Sequence, residues 1–196
     1  MEVVTNFSDL DLKKQYSYSD YVLWKFKDRV ELIRGFIMKM SPAPNRLHQE
    51  ISSNIHAYLH QNFRKNQCSL YAAPFDVRLP ILNSKKDTTV VQPDLCVVCD
   101  KNKLDDQGCN GAPELMIEIL SPNNSKHDLD TKFKLYEEAG VLEYWIIEPL
   151  EKMLLVYTLQ NGHFIGLPPQ TTGENIKSPL FPAIEIALED VFNTYK

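Results

Sequence analysis

The sequence predicts a mixed α/β fold, with a central sheet, one long helix before its core strands and another helix after them. Two short runs, 90–99 and 114–120, carry apolar residues at odd and even positions alike, which is typical of strands buried on both faces. Apolar residues recur at helical spacing between 47 and 63, and a second helical pattern follows near 127–139. With 196 residues, the chain suits a single domain spanning 1–196.

The first part of the chain is predicted to form a short helix, a hairpin and a long helix. Ser17 or Ser19 can cap a helix that continues to about Lys27. Residues 31–40 are typical of two strands that turn at Gly35. The long helix that follows has its apolar side chains on one face: Leu47, Ile51, Ile55, Tyr58, Leu59 and Phe63.

The second part is predicted to build the core of the sheet. A strand from about Ser69 to Leu79 precedes the two buried runs, which are joined by a polar loop from 100 to 112. The next helix is expected from about His127 to Ala139, with Gly140 following its last turn. The remaining predicted elements are strands over Leu142–Ile147 and Met153–Leu159 and a short helix near Leu188–Phe192.

Composition and charge exclude several classes of protein. No apolar run approaches the roughly 18 residues of a membrane span, and the N-terminus is too polar for a signal peptide, so we expect a cytoplasmic protein without a membrane partner. The net charge of −5 argues against a non-specific nucleic-acid binder. The charge is uneven, since residues 1–100 hold 13 Lys and Arg against 11 Asp and Glu (+2), and residues 101–196 hold 8 against 15 (−7). A groove or a solvated surface explains the early basic residues equally well: Lys25, Lys27, Arg29, Arg34, Lys39, Arg46, Arg64 and Lys65.

The four cysteines form no convincing disulfide or metal framework. Cys96 and Cys99 match a C-x-x-C pattern, but residues three apart on a strand face opposite sides of the sheet. A redox pair or zinc knuckle needs both sulfur atoms on one side of a turn. We therefore interpret these two cysteines as small core hydrophobes.

Each buried run carries one carboxylate, Asp94 in the first and Glu118 in the second. An unpaired ionised carboxylate in apolar surroundings is strongly unfavourable, so a basic side chain, backbone N–H groups or a metal ion must compensate it. One such residue alone would be a satisfied core carboxylate. Two of them, ~24 residues apart in strands that can pair, favour a metal site. We predict that both bind Mg²⁺, a hard cation that prefers oxygen ligands, with Mn²⁺ able to substitute.

Lys132 is the third charged residue in an apolar pattern. It falls about 60° from Leu129 on the stripe that Phe133 and Tyr136 continue, whereas Lys134 projects away. In one interpretation Lys132 extends to solvent and pairs with Asp128. In the other it reaches the pocket of the two carboxylates, where it would stabilise charge in a transition state and contribute to rate but little to folding.

Several motifs resemble a known family. Pro93-Asp94 followed by Glu118 is similar to the PD-(D/E)XK signature of restriction-endonuclease-like nucleases. The resemblance is closer to the Uma family of endonuclease-like proteins and spans roughly residues 20–190. It rests on Glu31-Leu32-Ile33-Arg34-Gly35, Met40-Ser41-Pro42, Gln92-Pro93-Asp94, Ala112-Pro113-Glu114, Glu118-Ile119-Leu120-Ser121-Pro122, Lys132…Tyr136 and Ala139-Gly140-Val141…Glu143-Tyr144-Trp145.

The resemblance implies a restriction-endonuclease-like core, with a mixed sheet, flanking helices and extra strands. Where the nuclease signature has its lysine this chain has Leu120, and the resemblance implies a lysine displaced to Lys132. Glu31 matches an early acidic position of the family, although a glutamate at a strand end is commonly just solvated. His48 lies on the apolar face of the long helix. Two interpretations are open, an accessory site residue or a core histidine with a hydrogen-bond partner.

Two functions follow from these patterns. The first is a Mg²⁺-dependent DNA endonuclease with Asp94, Glu118 and Lys132 as catalytic residues. The second is a catalytically inactive nucleic-acid or protein-binding module on the same fold, which the missing strand lysine and the acidic net charge favour. Nucleases that cut both strands are often dimers, so a homodimer is one expectation.

Overall fold

The computed structural model describes residues 3–40, 43–64, 67–82, 87–121 and 128–193, with the backbone alone at 128 and 129. Its helices and strands are, in chain order, α1 (Tyr18–Tyr21), β1 (Val30–Ile33), β2 (Phe36–Lys39), α2 (Arg46–Phe63), β3 (Ser69–Ala72), β4 (Val77–Arg78), β5 (Val90–Val91), β6 (Leu95–Val98), β7 (Leu104–Asp105), β8 (Gly108–Asn110), β9 (Leu115–Ile119), α3 (Phe133–Ala139), β10 (Glu143–Glu148), β11 (Met153–Gln160), β12 (His163–Gly166), β13 (Gln170–Thr171), β14 (Asn175–Lys177), β15 (Glu185–Ala187) and α4 (Leu188–Phe192).

Two large sheets are formed within these residues. The first has the strand order β12-β11-β10-β9-β6-β3, with β13 paired to β11, and is mixed because β9 and β10 run parallel. The second has the order β2-β1-β5-β4-β8-β7, and β14 and β15 pair separately. The predicted mixed α/β class is therefore correct.

Both faces of the first sheet are covered, as the continuous apolar runs predicted. On one face, α2 and α4 pack against Leu95, Ile117 and Trp145. On the other face, α3 and the second sheet pack against Cys96 and Met116. Because successive residues of a strand point to opposite faces, Glu118 between Ile117 and Ile119 faces α3.

The N-terminal elements follow the prediction except in length. Ser17 caps α1, and its backbone N–H donates to Asp20 at 2.9 Å. The helix ends at Tyr21 rather than Lys27 because the backbone at 23–25 hydrogen-bonds to Val4 instead. β1 and β2 then turn through Arg34 and Gly35, both at positive φ, a turn suited to the strand twist.

The long helix α2 is confirmed. The Asn45 side chain accepts a hydrogen bond from the His48 N–H at 2.9 Å and thereby caps the first turn. Its buried residues, at 48, 51, 55, 59 and 63, recur every three or four positions along one face. Burial of this face against the first sheet fixes the position of His48 relative to the end of β6.

Two predicted strands are each divided between the two sheets. The run 69–79 becomes β3 and β4, with Pro74 between them, and the run 90–99 becomes β5 and β6, with Pro93 between them. Proline lacks the N–H that a central strand needs, so pairing stops at both positions. The second break leaves Asp94 just before β6 rather than inside a strand.

The interpretation of Cys99 as a free core residue is wrong. β3 and β6 are antiparallel, with Ser69 opposite Val98, and this register brings Cys68 and Cys99 together in a disulfide. Cys96 is free and fully buried, as predicted for a small core hydrophobe, and Cys109 is also free and buried. Within the described ranges, no helix is long and apolar enough to cross a membrane.

Candidate active site

Glu118 is a buried carboxylate at the centre of a hydrogen-bond cluster. It lies on β9 and is 6% exposed. Its Oε1 accepts hydrogen bonds from the Lys132 ammonium at 2.8 Å and from the Tyr136 hydroxyl at 2.6 Å. Burial raises the pKa of Glu118 to about 7, against the opposing effect of the Lys132 charge, and the charges of Asp94 and Glu31 add to the increase. This carboxyl therefore changes protonation near neutral pH.

Lys132 reaches the cluster from the helix that follows β9. A π-helical turn at Asp128–Lys132 leads directly into α3, so the regular 100° spacing assumed from the sequence does not hold there. The Lys132 side chain is buried, and Nζ lies 2.8 Å from Glu118 and 3.3 Å from Glu31. The interpretation of Lys132 as a solvent-exposed lysine is wrong, whereas Lys134 is exposed as expected.

The pairing of Lys132 with Asp128 falls on a side chain outside the described residues. The expectation that Lys132 reaches the pocket and yet contributes little to folding left the burial of its side chain out of account. Since the side chain is buried between two carboxylates, its removal would leave charge without a partner in the core.

Asp94 is held beside Glu118 by two donors. Its Oδ2 accepts a hydrogen bond from the Ile119 N–H at 2.8 Å and lies 3.2 Å from Nε2 of His48. The side chain is 21% exposed, so it is less buried than a central strand position would have made it. Its charge acts on Glu118, because it contributes to the raised pKa of that group. The two predicted carboxylates therefore meet at one end of the antiparallel pair β6 and β9.

Glu31 joins the same cluster from the second sheet. It lies on β1 and is 6% exposed, so the interpretation as a solvated strand end is wrong. Its Oε1 accepts a hydrogen bond from the Gln92 N–H at 2.9 Å and also faces Lys132 at 3.3 Å. Lys132 therefore lies between carboxylates from both sheets.

His48 connects α2 to the cluster. It is buried and hydrogen-bonds to Asp94, which agrees with the interpretation as a core histidine with a hydrogen-bond partner. Burial lowers its pKa, but the hydrogen bond and charge of Asp94 outweigh burial, with a further contribution from Glu118, so the net pKa is raised. Within the described residues, its Nδ1 is buried and has no hydrogen-bond partner. A proton on this ring strengthens the contact with Asp94.

Residues 18–189 match the model of a protein family, Uma2, described as "Putative restriction endonuclease". The chain belongs to the Uma2 family.

Two further similarities accompany this match. The chain is 25% identical over 133 residues to "Uncharacterized protein slr1290" of Synechocystis sp., and the matched segment covers 67% of each chain. It also resembles the crystal structure of "a putative nuclease belonging to DUF820" from Anabaena variabilis, with a TM-score of 0.68 and 19% identity over 90% of this chain and 97% of that one. The second similarity establishes a shared fold.

The carboxylates of this Uma2 protein each use one oxygen for the protein and leave the other available. Within the described residues, every hydrogen bond to these carboxylates is made to a single oxygen of each, namely Oε1 of Glu118, Oε1 of Glu31 and Oδ2 of Asp94. Hard cations prefer such oxygen ligands, so Asp94 and Glu118 are the residues that could hold one here. No group of three or more His, Cys, Asp or Glu in the described part of the chain is spaced to hold a metal by itself.

Two site residues were not predicted from the sequence. Tyr136 was placed on the apolar stripe of the helix and in the motif Lys132…Tyr136 without a role in the site, but its hydroxyl donates to Glu118 at 2.6 Å. Gln92 lies two residues before Asp94, and its backbone N–H orients Glu31. The polar hydroxyl on an otherwise apolar stripe was a signal for Tyr136. Gln92 was named in the motif Gln92-Pro93-Asp94, but nothing local indicated its role, because that role depends on the pairing of β1 with β5.

Proposed function

We propose that this Uma2 protein is a Mg²⁺-dependent endonuclease that hydrolyses phosphodiester bonds of DNA. The observation that carries the proposal is the buried Lys132 ammonium between Glu118 and Glu31, at the strand end that also holds Asp94. Paired carboxylates can hold a metal ion and a neighbouring lysine can stabilise transition-state charge, so this combination suits metal-dependent phosphodiester hydrolysis. The description of the family, "Putative restriction endonuclease", is consistent with the same activity.

Asp94 and Glu118 are the proposed metal ligands. Asp94 is oriented by the Ile119 N–H and His48, and Glu118 by Lys132 and Tyr136, so neither carboxylate is free to rotate away. When bound between them, Mg²⁺ would polarise the phosphodiester and lower the pKa of a bound water. Mn²⁺ has the same preference for oxygen ligands and is expected to substitute.

Lys132 is the proposed electrostatic catalyst. An ammonium group has three donors in a compact charge, so Lys132 can contact a phosphate oxygen while it retains Glu118. Its contact with Glu31 limits its movement from the other side. As negative charge increases on the phosphate, the fixed ammonium stabilises the transition state more than the ground state. Tyr136 and His48 act as positioning residues for the two carboxylates.

A second function is favoured by two observations. Lys132 is already engaged by two carboxylates, and Leu120 occupies the position where the nuclease signature has its lysine. A buried cluster of one lysine and two carboxylates that satisfy each other is compatible with a fold that binds nucleic acid or protein without cutting it. The two functions differ in whether the purified protein cleaves DNA.

The deciding experiment measures nicking of supercoiled plasmid with Mg²⁺, with Mn²⁺ and with EDTA. We expect cleavage only with metal, loss of cleavage in Asp94→Asn, and a decrease of roughly 10²–10³ in rate in Lys132→Met. Lys134→Met and Glu151→Gln are matched controls, because both side chains are exposed, and should retain the wild-type rate. Cleavage by Asp94→Asn at the wild-type rate would contradict the proposed site. A wild-type protein that binds DNA but does not nick it with either metal would support the second function.

A further inference from the structure

A cavity of about 650 Å³ lies beside the candidate active site and has an aromatic wall. Its four aromatic rings form a continuous series, with centroids 5.8 Å apart between Tyr18 and Tyr21, 5.5 Å between Tyr21 and Trp24, and 5.8 Å between Trp24 and Phe26. We call this cavity the aromatic groove. Trp24 and Phe26 are only half buried although they pack on the core, so part of each ring borders the groove.

Three basic side chains border the aromatic groove on its exposed side. Lys25, Lys27 and Arg29 occupy alternate positions in the segment between α1 and β1, and all three are exposed. Asp28 also borders the groove, but it pairs with Lys39 at 2.5 Å, so its charge is compensated. The exposed side of the groove is therefore positively charged, in a protein whose net charge is −5. Such local charge suits phosphate groups.

The less exposed part of the groove has the opposite character. Asp76 is half buried and accepts a hydrogen bond from the Gln92 side-chain amide at 2.8 Å. A phosphate would be repelled there, whereas the amino and imino N–H groups of a nucleobase are attracted to a carboxylate. The distribution of charge therefore matches a nucleotide whose base enters the groove and whose phosphate stays outside.

Gln92 connects the aromatic groove to the candidate active site. Its side-chain oxygen accepts from Arg29 at 3.1 Å, while its backbone N–H donates to Glu31 at 2.9 Å. Asp94 lies two residues farther along the chain. Gln92 therefore contributes its side chain to the groove and its backbone to the carboxylate cluster, so the two features are neighbours in the fold.

We infer that the aromatic groove binds an unpaired nucleobase of a single-stranded segment adjacent to the scissile phosphate. This inference rests on the proposed function for the class of substrate and adds the strand state that the site prefers. Aromatic rings stack on bases of any sequence, and basic residues follow the backbone. Bases paired inside a duplex are stacked on each other and cannot enter, so single-stranded DNA or a DNA end is preferred to intact duplex.

The test uses the intrinsic fluorescence of the full chain, which contains two tryptophans. Trp24 borders the groove, whereas Trp145 is fully buried and donates its indole N–H to Glu143. A 20-nucleotide single strand of mixed sequence, titrated in EDTA, should quench Trp24 as bases stack on it. We expect the same 20-mer as a duplex to bind at least about fivefold more weakly, which corresponds to the lower end of one stacking contact. Trp24→Phe should remove most of the quenching while it preserves the aromatic wall.

The charge of the groove is tested separately, by fluorescence anisotropy of the labelled single strand. Lys27→Ala should weaken binding several-fold and reduce the slope of log K against log salt by about 0.7, the contribution of one phosphate contact on a single strand. Lys152→Ala is the matched control, because Lys152 is exposed in the turn between β10 and β11. No quenching by the single strand, equal quenching by the duplex, or equal effects of the two lysine substitutions would each overturn the inference.

Binding without metal separates this inference from the proposed function. A protein that binds the single strand in the groove but never nicks plasmid would contradict only the endonuclease activity. A protein that nicks plasmid, but in which the single strand does not quench Trp24 and Lys27→Ala does not weaken single-strand binding, would contradict only the groove.

Discussion

Replacing Lys132 by methionine removes a buried positive charge and keeps a side chain of similar length. The Lys132 ammonium lies 2.8 Å from Glu118 and 3.3 Å from Glu31, and all three side chains are 8% exposed. Removal of one partner from a buried ion pair costs about 3–5 kcal/mol, because the remaining charge stays in the core without compensation. We therefore expect Lys132→Met to lose about this much unfolding free energy above neutral pH.

The loss should depend on pH, because Glu118 can bind a proton instead of remaining charged. With Lys132 present, burial already raises the pKa of Glu118 to about 7 from its ordinary value of 4.5. Without the ammonium the pKa rises further. A carboxyl with a higher pKa in the folded state binds more protons there, so stability falls as pH rises between the unfolded and the folded pKa.

The slope of this fall is about 1.4 kcal/mol per pH unit. In the wild type the contribution of Glu118 stops changing above about pH 7, whereas in Lys132→Met it continues to decrease. Between pH 7 and pH 8.5 the variant should therefore lose roughly 2 kcal/mol more than the wild type. His48 is present in both proteins, so its own titration largely cancels in the comparison.

Urea unfolding at pH 5.5, 7 and 8.5 measures these differences. Lys134→Met is the control, because Lys134 is exposed two residues away, and should change stability by no more than about 0.5 kcal/mol at any pH. If Lys132→Met behaves like Lys134→Met at all three pH values, then Lys132 does not neutralise a buried carboxylate, and its assignment as a pocket residue is wrong.

Three further predictions follow from the same cluster. Glu118→Gln should remove most of the fall in stability between pH 4.5 and 7, worth roughly 3 kcal/mol for a pKa near 7, and urea unfolding that keeps the wild-type pH slope would contradict the raised pKa. The affinity for Mn²⁺, measured by calorimetry, should increase up to about pH 7, because the proton on Glu118 competes with the metal. Asp94→Asn should abolish Mn²⁺ binding, and equal binding by this variant would remove Asp94 from the site. Asp94→Asn should also lower the pKa of His48, since the Asp94 charge no longer opposes the effect of burial. An NMR titration of the ring protons identical to that of the wild type would show that the Asp94 contact does not raise the pKa of His48.

The elements with a strong local signal were predicted correctly. The helix α2 was recognisable because its apolar residues recur every three or four positions, and the hairpin β1–β2 because Gly35 marks a tight turn between apolar runs. β9 was predicted as a strand buried on both faces, with Glu118 as its exception. In each case the information lies within a few neighbouring residues.

Features that depend on long-range pairing were not predictable in the same way. The run 90–99 resembled one strand, but it forms two, β5 in the second sheet and β6 in the first, with Pro93 between them. The Cys68–Cys99 disulfide depends on the register between β3 and β6, which no local pattern reveals. Likewise, the direction of the Lys132 side chain depends on a π-helical turn that a regular helical projection does not anticipate.

A comparison of two buried glutamates explains why the cluster at Glu118 is the better candidate for chemistry. Glu143 also interrupts an apolar strand and is fully buried, but both of its oxygens are satisfied. Its Oε1 accepts from the Trp145 indole and the Ser178 hydroxyl, and its Oε2 accepts from the Leu180 N–H. These contacts join the C-terminal segment to the first sheet and leave no oxygen for a ligand.

Glu118 differs in each of these respects. All of its hydrogen bonds within the described residues are made through Oε1, and one donor is a lysine shared with Glu31. Its nearest charged neighbours, Lys132, Asp94 and Glu31, come from three separate parts of the chain. A carboxylate that only stabilises the fold would be expected to resemble Glu143, with neutral donors on both oxygens. A carboxylate with one oxygen available and a pKa near neutrality is suited to exchange its proton for a metal ion.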